Sequence, residues 1–263
     1  MVINNTTMST TSFFQSDVWL FCFYVISTYE IFFWFCNGFL LFIELFDIPI
    51  IDQYRIQKHK KKVRFQPDIV HLIIRDTIYH QISLFLLIPA LYYIFEYFGH
   101  IDIQGIRPSW STILFQLTLF ILSEDTLFFW THRLFHTRWL YKHIHKKHHV
   151  YKQPTGLTAV LNDPFDDIQI QFATWFMPIF IKETHIFTIC IWVIIRAYQT
   201  VNAHSGYNFP YISTQYWLPE LMPGTIAHDF HHQQGKWNYG SFFSVWDQIM
   251  GTHRLTTSKK ESN

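Results

Sequence analysis

From His132 to His149 the chain reads HRLFHTRWLYKHIHKKHH, six histidines in eighteen residues, and HDFHH at 228–232 adds three more. Their spacing sorts them into clusters. His132 and His136 stand at i, i+4; His145, His148 and His149 stand at i, i+3, i+4; His228, His231 and His232 repeat those offsets. At ~100° per residue each set covers about a third of a helix circumference, so two or three imidazoles can converge on one ion from a single element. His143 lies two residues from His145 and points nearly the opposite way. His59, His71, His80, His100, His185 and His253 have no partner at such spacing and read as surface or interfacial residues. A catalytic zinc takes three protein ligands and a structural one four, so this many imidazoles imply two metal ions.

Imidazole alone does not choose among iron, zinc, copper and nickel. The surroundings say more. A dinuclear site at the mouth of an apolar, aromatic pocket faces lipid-like molecules, whose C–H bonds call for oxygen activation and so for redox-active iron. A hydrolase needs a bond to cut, and no HExxH or GxSxG is present. Two carboxylates are candidates to orient ligands. Asp125 precedes His132 by two helical turns on the same face, where it is expected to accept a ligand's free N–H. Asp229, within HDFHH, is placed either to do the same or to be solvated.

The elements that must carry these residues are mostly apolar. Runs fall at about 18–46, 80–98, 111–130, 168–181 and 185–198, and ~20 helical residues cross a hydrocarbon core. Glu30, Asn37 and Glu44 interrupt the first run; Lys182-Glu183-Thr184 separates the last two, which read as one helical hairpin or two tilted spans. The basic cluster Lys58 to Arg64 places that loop in the cytoplasm. The N-terminus is then lumenal, and residues 132–152 and 204–263 are cytoplasmic, which gathers every histidine cluster on one membrane face. Arg133, Arg138, Lys142, Lys146, Lys147 and Lys152 agree with that side. The expected fold is all-α, a multi-pass membrane helical bundle with a cytoplasmic histidine-rich helical cap.

Composition removes other classes. A net charge of +1 gives no reason for a nucleic-acid partner. Cys22, Cys36 and Cys190 all lie in apolar runs without a CxxC, which excludes a disulfide scaffold and fits a reducing, cytosol-facing setting. Residues 1–17 are polar and lack a basic n-region, so no cleavable signal is expected.

The three boxes HRLFH (132–136), HKKHH (145–149) and HDFHH (228–232), with SEDTLFFWTHRLFH around the first and NYGSFFSVWDQIMGT (238–252) after the third, resemble the membrane fatty acid hydroxylase/sterol desaturase superfamily. The likeness covers roughly residues 111–252. Within the superfamily QTVNAHSGYNFP (199–210) is most similar to the C-4 methylsterol oxidases (methylsterol monooxygenases), with a similar stretch in cholesterol 25-hydroxylase-like enzymes. The resemblance implies an endoplasmic-reticulum enzyme with two iron ions. It would oxidise a sterol C-4 methyl group with O2 and with electrons from NAD(P)H through cytochrome b5 and its reductase. It also implies His204 as a ninth metal ligand. Relatives carry a His-Pro pair after the second box where this chain has Asp163-Pro164, a departure expected to bear on substrate or activity.

No GxGxxG, flavin or haem-attachment motif is present, so electrons must come from another protein, and Lys142, Lys146, Lys147 and Lys152 form a basic rim that could attract an acidic donor. The expected organisation is a membrane-anchoring region with two transmembrane helices (1–110), a catalytic domain (111–252) and a polar tail (253–263). Alternatives are another sterol or lipid hydroxylase or desaturase of the superfamily, such as a C-5 sterol desaturase or fatty acyl hydroxylase. In other classes they are a zinc-dependent membrane hydrolase, a metal transporter and a bis-histidine haem protein.

Overall fold

The computed structural model describes residues 7–58, 67–212, 214–222 and 224–254. In chain order they form α1 (Thr7–Phe46), α2 (Pro49–Asp52), α3 (Pro67–Phe98), the two-residue strand β1 (Ile101–Asp102), α4 (Trp110–Phe135) and α5 (Arg138–His143). Two 3₁₀ turns follow, His145–Val150 and Gly156–Val160, then α6 (Pro164–Phe180), β2 (Thr184–His185), α7 (Ile186–His204), α8 (Thr214–Trp217), α9 (Gly224–Gln234) and α10 (Val245–Ile249). The fold is all-α, as the apolar runs predict.

Among the described residues four helical stretches are long and apolar enough to cross a membrane: Ser16–Phe46, Val70–Phe98, Trp110–Phe135 and Ile186–His204. Their outer faces carry exposed Trp19, Phe35, Phe85, Tyr97 and Phe115, a surface suited to lipid rather than water. Inside, Phe21, Phe95, Ile113, Phe120, Ile189 and Trp192 are fully buried and knit α1, α3, α4 and α7 together. In hydrocarbon this close packing, rather than exclusion of water, holds helices to one another.

The second membrane-length helix, α3, begins well before the expected run at residue 80. Its first turns carry polar residues that lower the local hydropathy, and Lys147 and Tyr29, two of their partners, belong to other elements. Arg75 and Lys147 meet Asp76 at 2.8 and 3.3 Å, and Tyr29 Oη lies 2.8 Å from His80 Nε2. The interruptions in α1 likewise find partners. Trp34 Nε1 donates to Glu30, Asn37 Nδ2 donates to Phe33 O, and Tyr207 Oη donates to Glu44. Of the positive cluster Lys58 to Arg64, residues 59–64 lie outside the described residues.

The two helices over 168–198, expected as a hairpin or as two tilted spans, are splayed. At 17 residues α6 is too short to join the four membrane-length stretches, and it packs on α4 while α7 packs on α1. Trp192 Nε1 spans the gap, donating to Thr174 O at 3.1 Å. At the end away from the histidines β1 and β2 pair in parallel, Ile101 with Thr184 and Asp102 with His185, tying the α3–α4 and α6–α7 turns. Arg107 adds to that join, lying 4.7 Å over Trp110 and 5.7 Å from the Phe187 ring centre. The 3₁₀ turns and α8 to α10 form the cap at the opposite end. Gly156 lets the second 3₁₀ turn press between α1 and α7, because a Cβ there would meet Leu40 and Val201 methyls at 2.8 Å.

Candidate metal centre

The cap brings all nine predicted histidines together at one end of the bundle. His132 ends its run on α4, His136 caps that helix, and His204 closes α7. His145, His148 and His149 ride the first 3₁₀ turn, and His228, His231 and His232 ride α9. They fall into two groups whose nearest nitrogens lie within 4.8 Å of one another: His132, His136, His145, His149 and His231 in the first, His148, His204, His228 and His232 in the second. The groups adjoin, with the His149 and His232 ring centres 4.7 Å apart.

This arrangement corrects the expectation that each box converges on one ion. His148 and His149 are consecutive yet face different groups, as do His231 and His232. Neighbouring residues on a helix point about 100° apart, so one HxxHH serves two centres at once. His143, left out on spacing, is exposed and donates Nδ1–H to Trp139 O at 2.8 Å.

The tautomers follow from the partners. Nδ1–H of His132, His136, His204 and His231 donates to the carbonyls of Tyr239, Gly235, Thr200 and Trp237 at 3.0, 3.1, 2.8 and 2.6 Å. His145 Nδ1–H donates to Asp166 Oδ1 at 2.8 Å. With the proton on Nδ1, Nε2 keeps a bare lone pair. His132 Nε2 and His145 Nε2 nevertheless stand 3.2 Å apart, two acceptors face to face. Such a contact suits a shared cation and nothing else the two rings offer.

Burial keeps these rings neutral. Loss of hydration, with neighbouring imidazoles adding to it, holds His136, His145, His148, His149, His228, His231 and His232 well below the ordinary histidine range. Burial also pushes the Asp166 carboxyl up to about 7. A neutral nitrogen donor set of five and four rings fits iron, zinc, copper or nickel.

The expected orienting carboxylates act otherwise. Asp125 does not receive a ligand's N–H; its Oδ1 accepts the backbone N–H of Phe242 and Phe243 at 2.8 and 2.9 Å. The face was read correctly, but the loop after α9 fills it. Asp229 is fully buried rather than solvated and accepts from Gln57 at 2.7 Å and Gln233 at 3.1 Å. Asp163, of the Asp163-Pro164 pair, caps α6 by accepting Phe165 N–H at 3.1 Å. Asp166, three residues on and unanticipated, is the carboxylate that touches a ring; the only hint was a run of acids at the start of a helix.

The most consequential unanticipated part is the loop 235–239. Three alternate carbonyls, of Gly235, Trp237 and Tyr239, take the Nδ1–H of three rings in the first group. The loop holds Trp237 and Asn238 at positive φ (70° and 51°), so something must impose it. Asp247 accepts Tyr239 N–H and Gly240 N–H at 2.9 and 2.8 Å. Asn238 Nδ2 donates to Ala227 O and Arg254 O at 3.1 and 2.6 Å.

A helical bundle with a nine-histidine cap defines the class. A family profile described as fatty acid hydroxylase matches residues 117–252, half of the chain, and the chain belongs to that family. Among its relatives is a very-long-chain aldehyde decarbonylase (GL1-8) of Oryza sativa subsp. indica, 34% identical over 79% of this chain and 76% of its own. Methylsterol monooxygenase 2-2 of Arabidopsis thaliana is 37% identical over 59% of this chain and 60% of its own. The C-4 methylsterol oxidase erg25 of Schizosaccharomyces pombe is 39% identical over 55% and 49%. No solved structure matches the chain.

Proposed function

We propose that the chain is a membrane-bound non-haem diiron oxygenase that oxidises the C-4 methyl group of a sterol intermediate. One observation carries the reading: bare imidazole lone pairs meet in two adjoining groups at a cavity walled by Phe128, Ala159 and Ile170. In this reading His132, His136, His145, His149 and His231 hold one iron, and His148, His204, His228 and His232 the other. Bound iron would supply the activation of O2 needed to attack an unactivated C–H bond. The chain's own work is to keep the rings neutral, to fix their faces through carbonyls and Asp166, and to hold an apolar substrate against the cage.

Electrons would come from NAD(P)H by way of cytochrome b5 and its reductase. Lys142, Lys146 and Lys152 are exposed on the histidine side and suit an acidic donor. Lys147 drops out of that rim, since its Nζ donates to Asn162 O at 2.6 Å and pairs with Asp76. The enzyme would sit in the endoplasmic reticulum membrane with the cap in the cytoplasm. Residues 111–252 would be the catalytic domain, 1–110 the anchor and 253–263 a tail.

Aldehyde decarbonylation is the second reading, supported by the longer alignment with the Oryza relative. Deletion of the gene followed by lipid profiling separates the two. Accumulated 4,4-dimethylsterols, reversed by the wild-type gene but not by His148→Ala, are the expected result. Unchanged sterols with accumulated long-chain aldehydes would replace the sterol reading. Zinc in the purified protein with O2-independent turnover would replace both with a hydrolase.

A further inference from the structure

Two segments of the cap turn back along the helices that carry it. Glu124 on α4 and Arg196 on α7 meet at 3.0 Å, so Thr126 and Tyr198, two residues nearer the cap on each helix, stand at one depth. Tyr198 lies six residues, about 9 Å, inside the end of α7. Its hydroxyl donates to Ile212 O at 2.7 Å, and the Phe209 ring centre lies 6.2 Å from that of Phe39 in α1. Trp246 Nε1 of α10 donates to Thr126 Oγ1 at 3.1 Å, and its ring stacks on Phe129. The chain that leaves α7 and the chain that follows α9 thus both descend beside membrane-length helices. At 19 residues, about 28 Å, α7 is no longer than a hydrocarbon core of ~30 Å, so this level lies within reach of lipid.

The two descents join. Ser244 N–H donates to Leu221 O at 2.8 Å, and Gln248 Nε2 donates to Glu220 O at 2.7 Å. The ledge so formed turns large side chains outward. Tyr211, Ile212, Tyr216, Trp217 and Leu221 come from one segment, and Val245, Ile249 and Met250 from the other; Trp217 is 62% exposed and Ile249 65%. Between His204 and Gly224 the sequence has one charged residue, Glu220, whose carboxylate lies 3.9 Å from His253. Tyr and Trp are the residues that gather where a membrane meets water. Lipid offers a backbone no hydrogen bonds, and the ledge supplies its own. Besides Ile212, Glu220 and Leu221, Tyr211 O accepts Trp217 Nε1–H at 3.0 Å and Leu218 O accepts Met222 N–H at 2.7 Å.

We propose that this ledge, residues 209–212 and 214–221 together with α10, lies immersed in the membrane leaflet on the histidine side. Its aromatic and aliphatic side chains sit at the boundary of headgroups and acyl chains, and phospholipid covers the exposed face. The helix α9, which carries His228, His231 and His232, is strung between the two immersed segments. The metal cage is therefore held against the bilayer instead of standing off in the cytoplasm. The inference rests on the four membrane-length helices and not on the sterol reading.

The full chain, metal-loaded, is placed in nanodiscs of a phospholipid that carries a diazirine in its acyl chain. After illumination the lipid adducts are mapped by mass spectrometry. Adducts are expected within 209–221 and 245–250, as well as at Phe85 on the outer face of α3, and not within 142–152. In the same discs Trp217→Cys and Ile249→Cys are expected to resist a charged maleimide that labels Lys142→Cys, an exposed position in the cap. Labelling of either at the rate of Lys142→Cys, or adducts at Phe85 with either segment bare, overturns the ledge and leaves the four spans standing. Resistance to maleimide without lipid adducts would assign the face to a protein partner and equally overturns the proposal. Failure of Phe85 itself to take adducts would overturn the membrane assignment, and the ledge with it.

Discussion

Removing the Asp247 side chain should unbalance the two metal groups. Asp247 is 2% exposed and holds the N–H groups of Tyr239 and Gly240. Asp247→Ala leaves both buried and unpaired, at about 1–3 kcal/mol each. That is comparable to the cost, about 1–3 kcal/mol per residue, of keeping Trp237 and Asn238 at positive φ. The loop should therefore relax, and the carbonyls of Gly235, Trp237 and Tyr239 should drift from His136, His231 and His132. Loss of such orienting partners costs roughly 10–100-fold in metal affinity. The second group is spared, because His204 Nδ1–H donates to Thr200 O within α7. Purified variant and wild type would be dialysed against graded chelator and their iron counted per chain. One of two ions should leave the variant at about 10–100-fold lower chelator strength, with helical circular dichroism unchanged. Parallel loss of both ions, or a wild-type curve from the folded variant, would refute the idea that the loop orients one group selectively.

Three further outcomes are expected. His231→Ala and His228→Ala lie in one motif but should each weaken a different iron, which Mössbauer spectra of the singly loaded variants would show as distinct site signals. Asp166→Ala removes the oxygen that fixes His145 and should lower iron affinity about 10–100-fold, with Asp166→Asn, which retains an acceptor, recovering part of it in the same chelator assay. Glu124→Ala strands the buried Arg196 guanidinium and should cost about 3–5 kcal/mol in thermal unfolding, whereas the Gly156→Ala clash with Leu40 and Val201 should cost about 1–3 kcal/mol.

The histidines were legible because their offsets are a local property, readable without knowing what lies nearby. Which ring serves which ion is not local. His148 and His149 are chain neighbours, and their separation into two groups depends on where α9 and α7 dock. The same limit explains Asp125, whose helical face follows from counting but whose partner, the 242–243 backbone, arrives from a distant loop. It also explains α3, whose early polar turns are masked in a hydropathy reading because Lys147 and Tyr29, which satisfy them, belong to other elements. Backbone carbonyls at 235, 237 and 239 carry no side-chain signature at all, so no motif could announce them.

The short ribbon between β1 and β2 has a mechanical consequence. It staples two interhelical turns at the rim opposite the cap, and His185 Nε2–H donating to Gly105 O at 3.2 Å reinforces the staple. Rods fastened together at one tip swing widest at the other, as tweezer arms do. Thermal breathing of this bundle should thus be greatest where the cage opens, giving a bulky lipid its entrance beside the reactive centre and leaving the stapled rim shut.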